Sequence, residues 1–194
     1  KIMKSISSLN NVYKSGLFGD HNDKNENQII KIKEIKNINL FQVVKYKSTE
    51  KNISNFKIDG LNFPNATKTS NNSSTRIIWM GPDNWFVFSS KDIRKDLNNL
   101  KEIDFAITDL SHSRSIIELE GEMIYEVLKK GSPLDVGKLK SGNCANTVYN
   151  GITITLDFIS NDPNIIRIFG LRSFGESLYH SLTDASLEFG YKSI

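Results

Sequence analysis

The stretch SIIELEGEMIYEVLKKGSP, from Ser115 to Pro133, carries a whole strand-to-helix unit and the signal that ends it. SIIELE is rich in aliphatic and β-branched residues and reads as a strand. Beyond Gly121, the residues Met123, Ile124, Val127 and Leu128 fall on one side of a 3.6-residue period, which predicts a short amphipathic helix. Lys129 and Lys130 occupy its last turn, where they favour the negative end of the helix dipole. Gly131 suits the left-handed position that follows a helix, and Pro133 prevents continuation. The Gly, Pro and Asp residues running on to Thr147 in LDVGKLKSGNCANT therefore read as a helix stop. A phosphate cradle would need a Gly-rich turn entering a helix N-terminus, and this segment leaves a C-terminus.

Working outward, the same unit recurs. Before it, DFAITDL reads as a strand; after it, Ile152, Ile154, Leu156 and Phe158 alternate along ITITLDF, and NDPN (Asn161 to Asn164) forms a turn into IIRIF. The closing helix carries a capping-box pattern, Ser173 with Glu176, and an apolar stripe of Phe174, Leu178, Leu182, Ala185 and Phe189. Upstream, Ile29 to Ile35 and Leu40 to Lys47 read as strands, followed by a short helical piece from Asn52 to Lys57 that ends at Asp59-Gly60. Pro64 to Thr75 is small and polar, hence a loop. RIIWM and WFVF flank the turn GPDN (Gly81 to Asn84) as a hairpin apolar on both faces. Ser89 and Ser90 can cap a helix whose stripe is Ile93, Leu97 and Leu100.

The chain thus reads twice as strand, strand, helix, strand, strand, helix, with Gly60 and Gly131 ending the shorter helices at matching places. The expected fold is α+β, a pseudo-duplicated β-β-α-β-β-α. The expected organisation is an irregular N-terminal arm over residues 1–28 and a single α+β domain over 29–194, made of two similar halves at about 29–103 and 104–194.

Composition narrows the function. Hydrophobic residues at 38% and charged residues at 24% are ordinary for a water-soluble globular protein, and no apolar run approaches a membrane span. The opening KIMKSISSLNNVYKSG has lysines but no apolar segment after them, so it does not read as a secretory signal; a cytoplasmic location is expected. The single cysteine, Cys144, fits a reducing compartment and argues against structural zinc. Glycosylation matches at Asn52, Asn65, Asn71 and Asn72 are by-products of heavy Asn use. A formal charge of +3, with lysines interleaved among acids, excludes the basic stripe of a nucleic-acid binder.

Each candidate for chemistry has a plainer reading. TDLSHSR brings Asp109, His112 and Arg114 to a strand-to-strand turn, but neighbours in a tight turn diverge, and a triad needs an oriented base held against a nucleophile. His21 and His180 have no second histidine at i+4, and there is no H-E-x-x-H or C-x-x-C spacing for a metal. Cys144 reads as a small buried hydrophobe, and Trp79 and Trp85 as core packing around GPDN. No glycine-rich nucleotide motif is present. No catalytic, cofactor-binding or metal-binding residue is therefore nominated in this chain.

The motifs themselves resemble a known family. DLSHSRSIIELEGEMIYEVLKKGSPLDVGKLKSGNCANT and IIRIFGLRSFGESLYHSLTDASLEFG are similar to the gamma subunit of heterotetrameric sarcosine oxidase. The matching positions are Asp109 and Ser111 of a D-x-S segment, Gly131, Pro133, Leu134 and Asp135 of G-x-P-L-D, Cys144, Ala145 and Thr147 of C-A-x-T, and Arg172, Ser173 and Phe174 of R-S-F. Together with WMGPDNWFVF they cover roughly residues 76 to 190. More distantly, Asp109, Ser111 and His112, then Asp135, Val136, Lys138 and Leu139, resemble segments of folate-dependent aminomethyltransferases, which implies their folate-binding-domain type of fold. The pattern departs where those enzymes carry a glycine-rich strand and paired aspartates facing folate: Tyr149-Asn150-Gly151-Ile152-Thr153 has one glycine and no acid before Asp157.

The resemblance implies an accessory, non-catalytic subunit, without a cofactor of its own, in a cytoplasmic complex that oxidatively demethylates sarcosine to glycine in one-carbon metabolism. It implies large alpha and beta subunits and a small delta subunit as partners, with FAD, FMN, NAD and tetrahydrofolate on those partners. The competing expectation is a stand-alone folate-binding or folate-dependent one-carbon transfer protein of the same fold, and a third is a stand-alone interaction protein.

Overall fold

A computed structural model describes residues 6–26, 28–100 and 103–194. In chain order the strands are β1 (Gly16–Phe18), β2 (Ile30–Glu34), β3 (Asn39–Lys45), β4 (Lys57–Ile58), β5 (Leu61–Asn62), β6 (Thr69–Asn71), β7 (Thr75–Gly81), β8 (Asn84–Ser89), β9 (Phe105–Asp109), β10 (Arg114–Glu120), β11 (Cys144–Tyr149), β12 (Ile152–Asn161), β13 (Asn164–Leu171) and β14 (Tyr191–Ser193). Three α-helices accompany them: α1 (Arg94–Asn98), α2 (Ile124–Gly131) and α3 (Gly175–Ser186).

The chain forms two compact units that do not follow the expected halves. One comprises the described residues within 1–36, 114–141 and 146–194; the other comprises those within 37–113 and 142–145. The first holds a seven-stranded sheet in the order β1-β14-β2-β10-β13-β12-β11, and the second a five-stranded sheet in the order β6-β7-β8-β3-β9. The duplication is visible in the subsets β7-β8-β3-β9 and β12-β13-β10-β2, whose strands correspond one to one. Each half gives its first strand away: β2 pairs antiparallel with β10, and β9 pairs antiparallel with β3. A boundary drawn at 103/104 therefore misplaces both strands, because linear order says nothing about which edge an exchanged strand will complete.

The core of the first unit is built on one face of its sheet. Ile30, Ile32, Ile117, Leu119, Leu156, Phe158, Ile166 and Ile168 point into it, and α2 contributes Ile124, Val127 and Leu128. From α3 come Leu178, Tyr179 and Leu182. Burying each large side chain contributes about 1.5–3 kcal/mol, so α3 is first a structural element. Its start differs from the expected capping box: a 3-10 turn over Arg172–Phe174 precedes it, Phe174 is the cap without a side-chain bond, and Glu176 accepts instead from Asn11 Nδ2 at 3.3 Å. Phe174 heads the predicted stripe yet is 47% exposed, because that extra turn carries it off the buried face.

The N-terminal arm is not irregular throughout, although residues 1–5 and Asn27 lie outside the described residues. Leu9 is buried in the first unit's core, and β1 pairs with β14, where Phe18 stacks on Tyr191 at 5.1 Å. β14 in turn lies parallel to β2. Three-residue strands show no measurable periodicity, so only the long-range pairing reveals them.

In the second unit, Phe41, Val43, Ile77, Trp85, Val87 and Phe105 pack with Ile93, Leu97 and Leu100, the stripe expected for α1. Neither Ser89 nor Ser90 caps α1, whose cap is Ile93; Ser89 Oγ accepts from Lys91 N at 3.2 Å within the preceding turn. The expected helix over 52–57 is a single 3-10 turn, Ile53–Asn55. Asp59-Gly60 is not its end but a two-residue hairpin between β4 and β5, with φ +52° and +77°. Both positive values are what a hairpin of this length needs, and Asp-Gly supplies them. The Pro64–Thr75 loop contains β6, a polar edge strand whose Asn71 Oδ1 and Thr69 Oγ1 accept from the Arg76 guanidinium at 3.0 Å each.

Candidate functional site

The D-x-S turn begins where β9 ends. Asp109 Oδ1 accepts from Ser111 N at 2.9 Å, and Ser111 Oγ accepts from Leu40 N at 3.0 Å, so the motif fastens the turn to the first residues of β3. Hydrogen bonding by Ser111 holds the Asp109 carboxyl below the usual carboxylate range, with the His112 and Arg94 charges adding to it. His112 is exposed, and Arg114 is partly buried at the head of β10, where burial pulls its guanidinium below the ordinary value. Asp109 and His112 thus make a solvent-facing turn held by Ser111. The hydroxyl that resembles a nucleophile is already engaged with backbone.

The helix-stop segment is built as a joint. Lys129 pairs with Glu126 at 2.6 Å, while Lys130 Nζ reaches Glu188 Oε1 and the Ala185 carbonyl, both at 2.6 Å, at the far end of α3. Gly131 does not take the expected left-handed conformation. It remains the last residue of α2, and a Cβ there would lie 2.7 Å from the Tyr149 ring. Glycine is needed for the close approach of a fully buried tyrosine whose hydroxyl donates to Val127 O at 3.0 Å. Beyond it, Asp135 and Lys138 form an exposed pair at 2.8 Å and Val136 is buried, so D-V-x-K-L closes a local turn.

Cys144 is fully buried, its sulfur 3.3 Å from the carbonyl oxygens of Lys68 and Trp79, and the segment from Gly142 to Cys144 bonds to Thr69 N and Thr67 O. Trp85 is buried and donates to Pro64 O at 3.1 Å, and Trp79 packs against the same core. His21 is half-buried and His180 exposed, and no group of three metal-ligating side chains exists among the described residues.

Three arrangements carried no signal in the sequence. Asp59 accepts from Lys91 Nζ at 2.6 Å and Asn72 Nδ2 at 2.9 Å, which hold its carboxyl well below the usual range, the Lys91 bond most strongly. Glu34, nearly buried, accepts from Ser7 Oγ at 2.6 Å. Lys33, Glu118, Arg167 and Asp157 stand opposite one another across β2, β10, β13 and β12, a row alternating in sign. In it Arg167 Nε meets Glu118 Oε2 at 2.6 Å and Asp157 is 0% exposed. The acid that follows the departure from the folate-enzyme pattern is thus a buried member of a sheet. The row depends on strand register, and the other two on contacts between segments separated in sequence, neither of which a local pattern encodes.

No family model matches the chain. It is 31% identical over 129 residues to the sarcosine oxidase subunit gamma of Corynebacterium sp. (strain U-96), over 60% of this chain and 58% of that protein. The chain is similar to a sarcosine oxidase gamma subunit. It therefore spans less than two thirds of the length of this curated relative. Its fold matches a chain of the heterotetrameric sarcosine oxidase from Corynebacterium sp. U-96 in complex with pyrrole 2-carboxylate, with a TM-score of 0.75, 23% identity and coverage of 85% of this chain and 87% of that one. A second match is the glycine cleavage system aminomethyltransferase T from Bartonella henselae, with a TM-score of 0.62, 11% identity and coverage of 86% of this chain and 48% of the other. The α+β, aminomethyltransferase-like fold expected from the motifs is the fold observed, and the likeness to the gamma subunit stands in sequence as well.

Proposed function

We propose that this chain is an accessory, non-catalytic gamma-type subunit of a sarcosine oxidase complex, docked on larger flavoprotein subunits that oxidatively demethylate sarcosine to glycine. The observation that carries this reading is the 31% identity to a protein named as that subunit, joined to a shared fold over 87% of a chain from the assembled oxidase. The motif residues support it by their local roles. Ser111 fastens a turn, Gly131 admits a buried ring, and Cys144 sits against two carbonyls, so each serves the packing of the chain.

In this reading FAD, FMN, NAD and tetrahydrofolate belong to the alpha and beta subunits, a small delta subunit completes the complex, and the assembly works in the cytoplasm. No helix among the described residues is long and apolar enough to cross a membrane. Co-expression with the alpha and beta subunits tests the proposal: a stoichiometric complex that oxidises sarcosine supports it. Saturable one-to-one binding of tetrahydrofolate by the isolated chain, or a flavin spectrum retained on purification, would instead favour a protein that works alone.

A further inference from the structure

β9 is an edge of the five-stranded sheet, bonded to β3 on one side only. Which of its backbone groups face outward follows from the register. Leu110 N donates to Leu40 O at 2.7 Å and Tyr46 N donates to Asp104 O at 2.9 Å, on either side of the pairs Phe41↔Asp109, Val43↔Ile107 and Lys45↔Phe105. Hydrogen-bonded and non-bonded pairs alternate in an antiparallel ladder, so the even-numbered residues of β9 bond to β3. Phe105, Ile107 and Asp109 therefore aim their N–H and C=O groups away from the sheet. Among the described residues no backbone or side-chain group is bonded to them there.

Edge strands are ordinarily blunted by Pro, Lys, a bulge or a covering loop. FAITD has neither Pro nor Lys, and its register with β3 is uninterrupted. The hydrophobic core is also open at this edge. A cleft of about 420 Å³ lies between α1 and the sheet, lined by Phe41, Arg94, Leu97, Leu100, Phe105 and Ile107. Ile107 is 37% exposed and Ile103, just before the strand, is 78% exposed. Side chains of residues opposite one another in a ladder share a face, so Ile107 lies on the core side of the sheet beside Val43, at the rim where another apolar side chain would complete the core.

We infer that β9 is the docking edge of this chain, and that an extended segment of one of the large partner subunits adds to it as a sixth strand, with an apolar side chain beside Ile107 and a basic one beside Asp109. This rests on the subunit reading above. Main-chain bonding to the outward groups supplies the affinity and the cleft supplies the side-chain preference. The charge favours a foreign strand over a second copy. Two copies paired about Ile107 would set Asp109 beside Phe105, so the added strand would bring no cation to the carboxylate beyond the charges of its own chain.

The test uses the full chain co-expressed with the alpha and beta subunits, read by hydrogen exchange over 104–110 and by the yield of complex. Wild type should assemble, with exchange across β9 slowed about tenfold or more on assembly. Ile107→Pro removes an outward N–H, a backbone change an edge strand accommodates, together with the Ile side chain at the rim, and should lower the yield about tenfold. Ile107→Lys, which retains the backbone but charges the rim, should do the same while the free chain melts close to wild type. Assembly with β9 unprotected, or both variants assembling as wild type does, overturns the docking edge and leaves the subunit reading standing. Failure of wild type to assemble overturns the subunit reading and the occupant with it. Protection of β9 by dimerisation of the chain alone overturns the inference in favour of a second copy.

Discussion

Replacing Gly131 with Ala tests whether this glycine serves a backbone conformation or a packing contact. The new Cβ would sit 2.7 Å from Cε2 and Cζ of Tyr149 and 2.8 Å from Asn150 Oδ1. Asn150 is exposed and can swing aside, but the Tyr149 ring is buried at 0% exposure and tethered through its hydroxyl to Val127 O at 3.0 Å. Forcing a methyl into such a contact costs about 1–3 kcal/mol, and a ring that moves away forfeits a hydrogen bond of about 1 kcal/mol. The better helix propensity of Ala returns up to about 1 kcal/mol, reduced at a terminal position. The net expectation is a destabilisation of about 1–2 kcal/mol, or a fall in Tm of about 2–8 °C for a chain of this size.

Unfolding followed by circular dichroism, in a double-mutant cycle with Tyr149→Leu, assigns the cause. If the ring is responsible, Gly131→Ala becomes neutral or stabilising once the ring is gone, with a coupling of about 1 kcal/mol or more. Equal cost in both backgrounds, or a Gly131→Ala variant that melts above wild type, would refute the packing account.

Three further outcomes are expected. Burial, with a smaller effect from the Asp184 charge, pushes the Tyr149 hydroxyl up to about 12, so the unfolded chain ionises first; stability should be intact below about pH 10 and fall between there and about pH 12, a loss that Tyr149→Phe reduces in urea titrations against pH. Asp59 has the opposite sign: its lowered carboxyl stabilises the fold above about pH 4, the benefit fades as the medium is acidified further, and Asp59→Asn should flatten that part of the acid melting profile. Cys144 should resist a thiol reagent in the native chain and react fully on denaturation, and fast native labelling would contradict its burial between the Lys68 and Trp79 carbonyls.

Much of the fold and most motif roles were legible in the sequence because they rest on local periodicity and turn chemistry. The hairpin around Pro82-Asp83, the helix face of Ile124, Val127 and Leu128, and the stripe of Leu178 and Leu182 all sit where their spacing places them. Misreadings arose where one residue pair serves two geometries: Asp59-Gly60 fits a helix end or a tight hairpin, and Gly131 fits a left-handed cap or a close approach, and neighbouring residues do not distinguish them. The candidate site was less legible still. DFAITDL reads as a strand, but nothing in those letters says that it will be an edge.

What the sequence by itself determined is a duplicated set of strands and helices, the absence of nucleotide and metal motifs, and the likeness to an oxidase subunit. Tertiary structure alone decided that β2 and β9 trade places between the halves, that Lys33, Glu118, Arg167 and Asp157 line up in one row, and that the second core stays open along β9. The physical reason is range: hydrogen-bond period and side-chain alternation act within a few residues, whereas partner choice and register are settled by burial among segments about 60 to 90 residues apart.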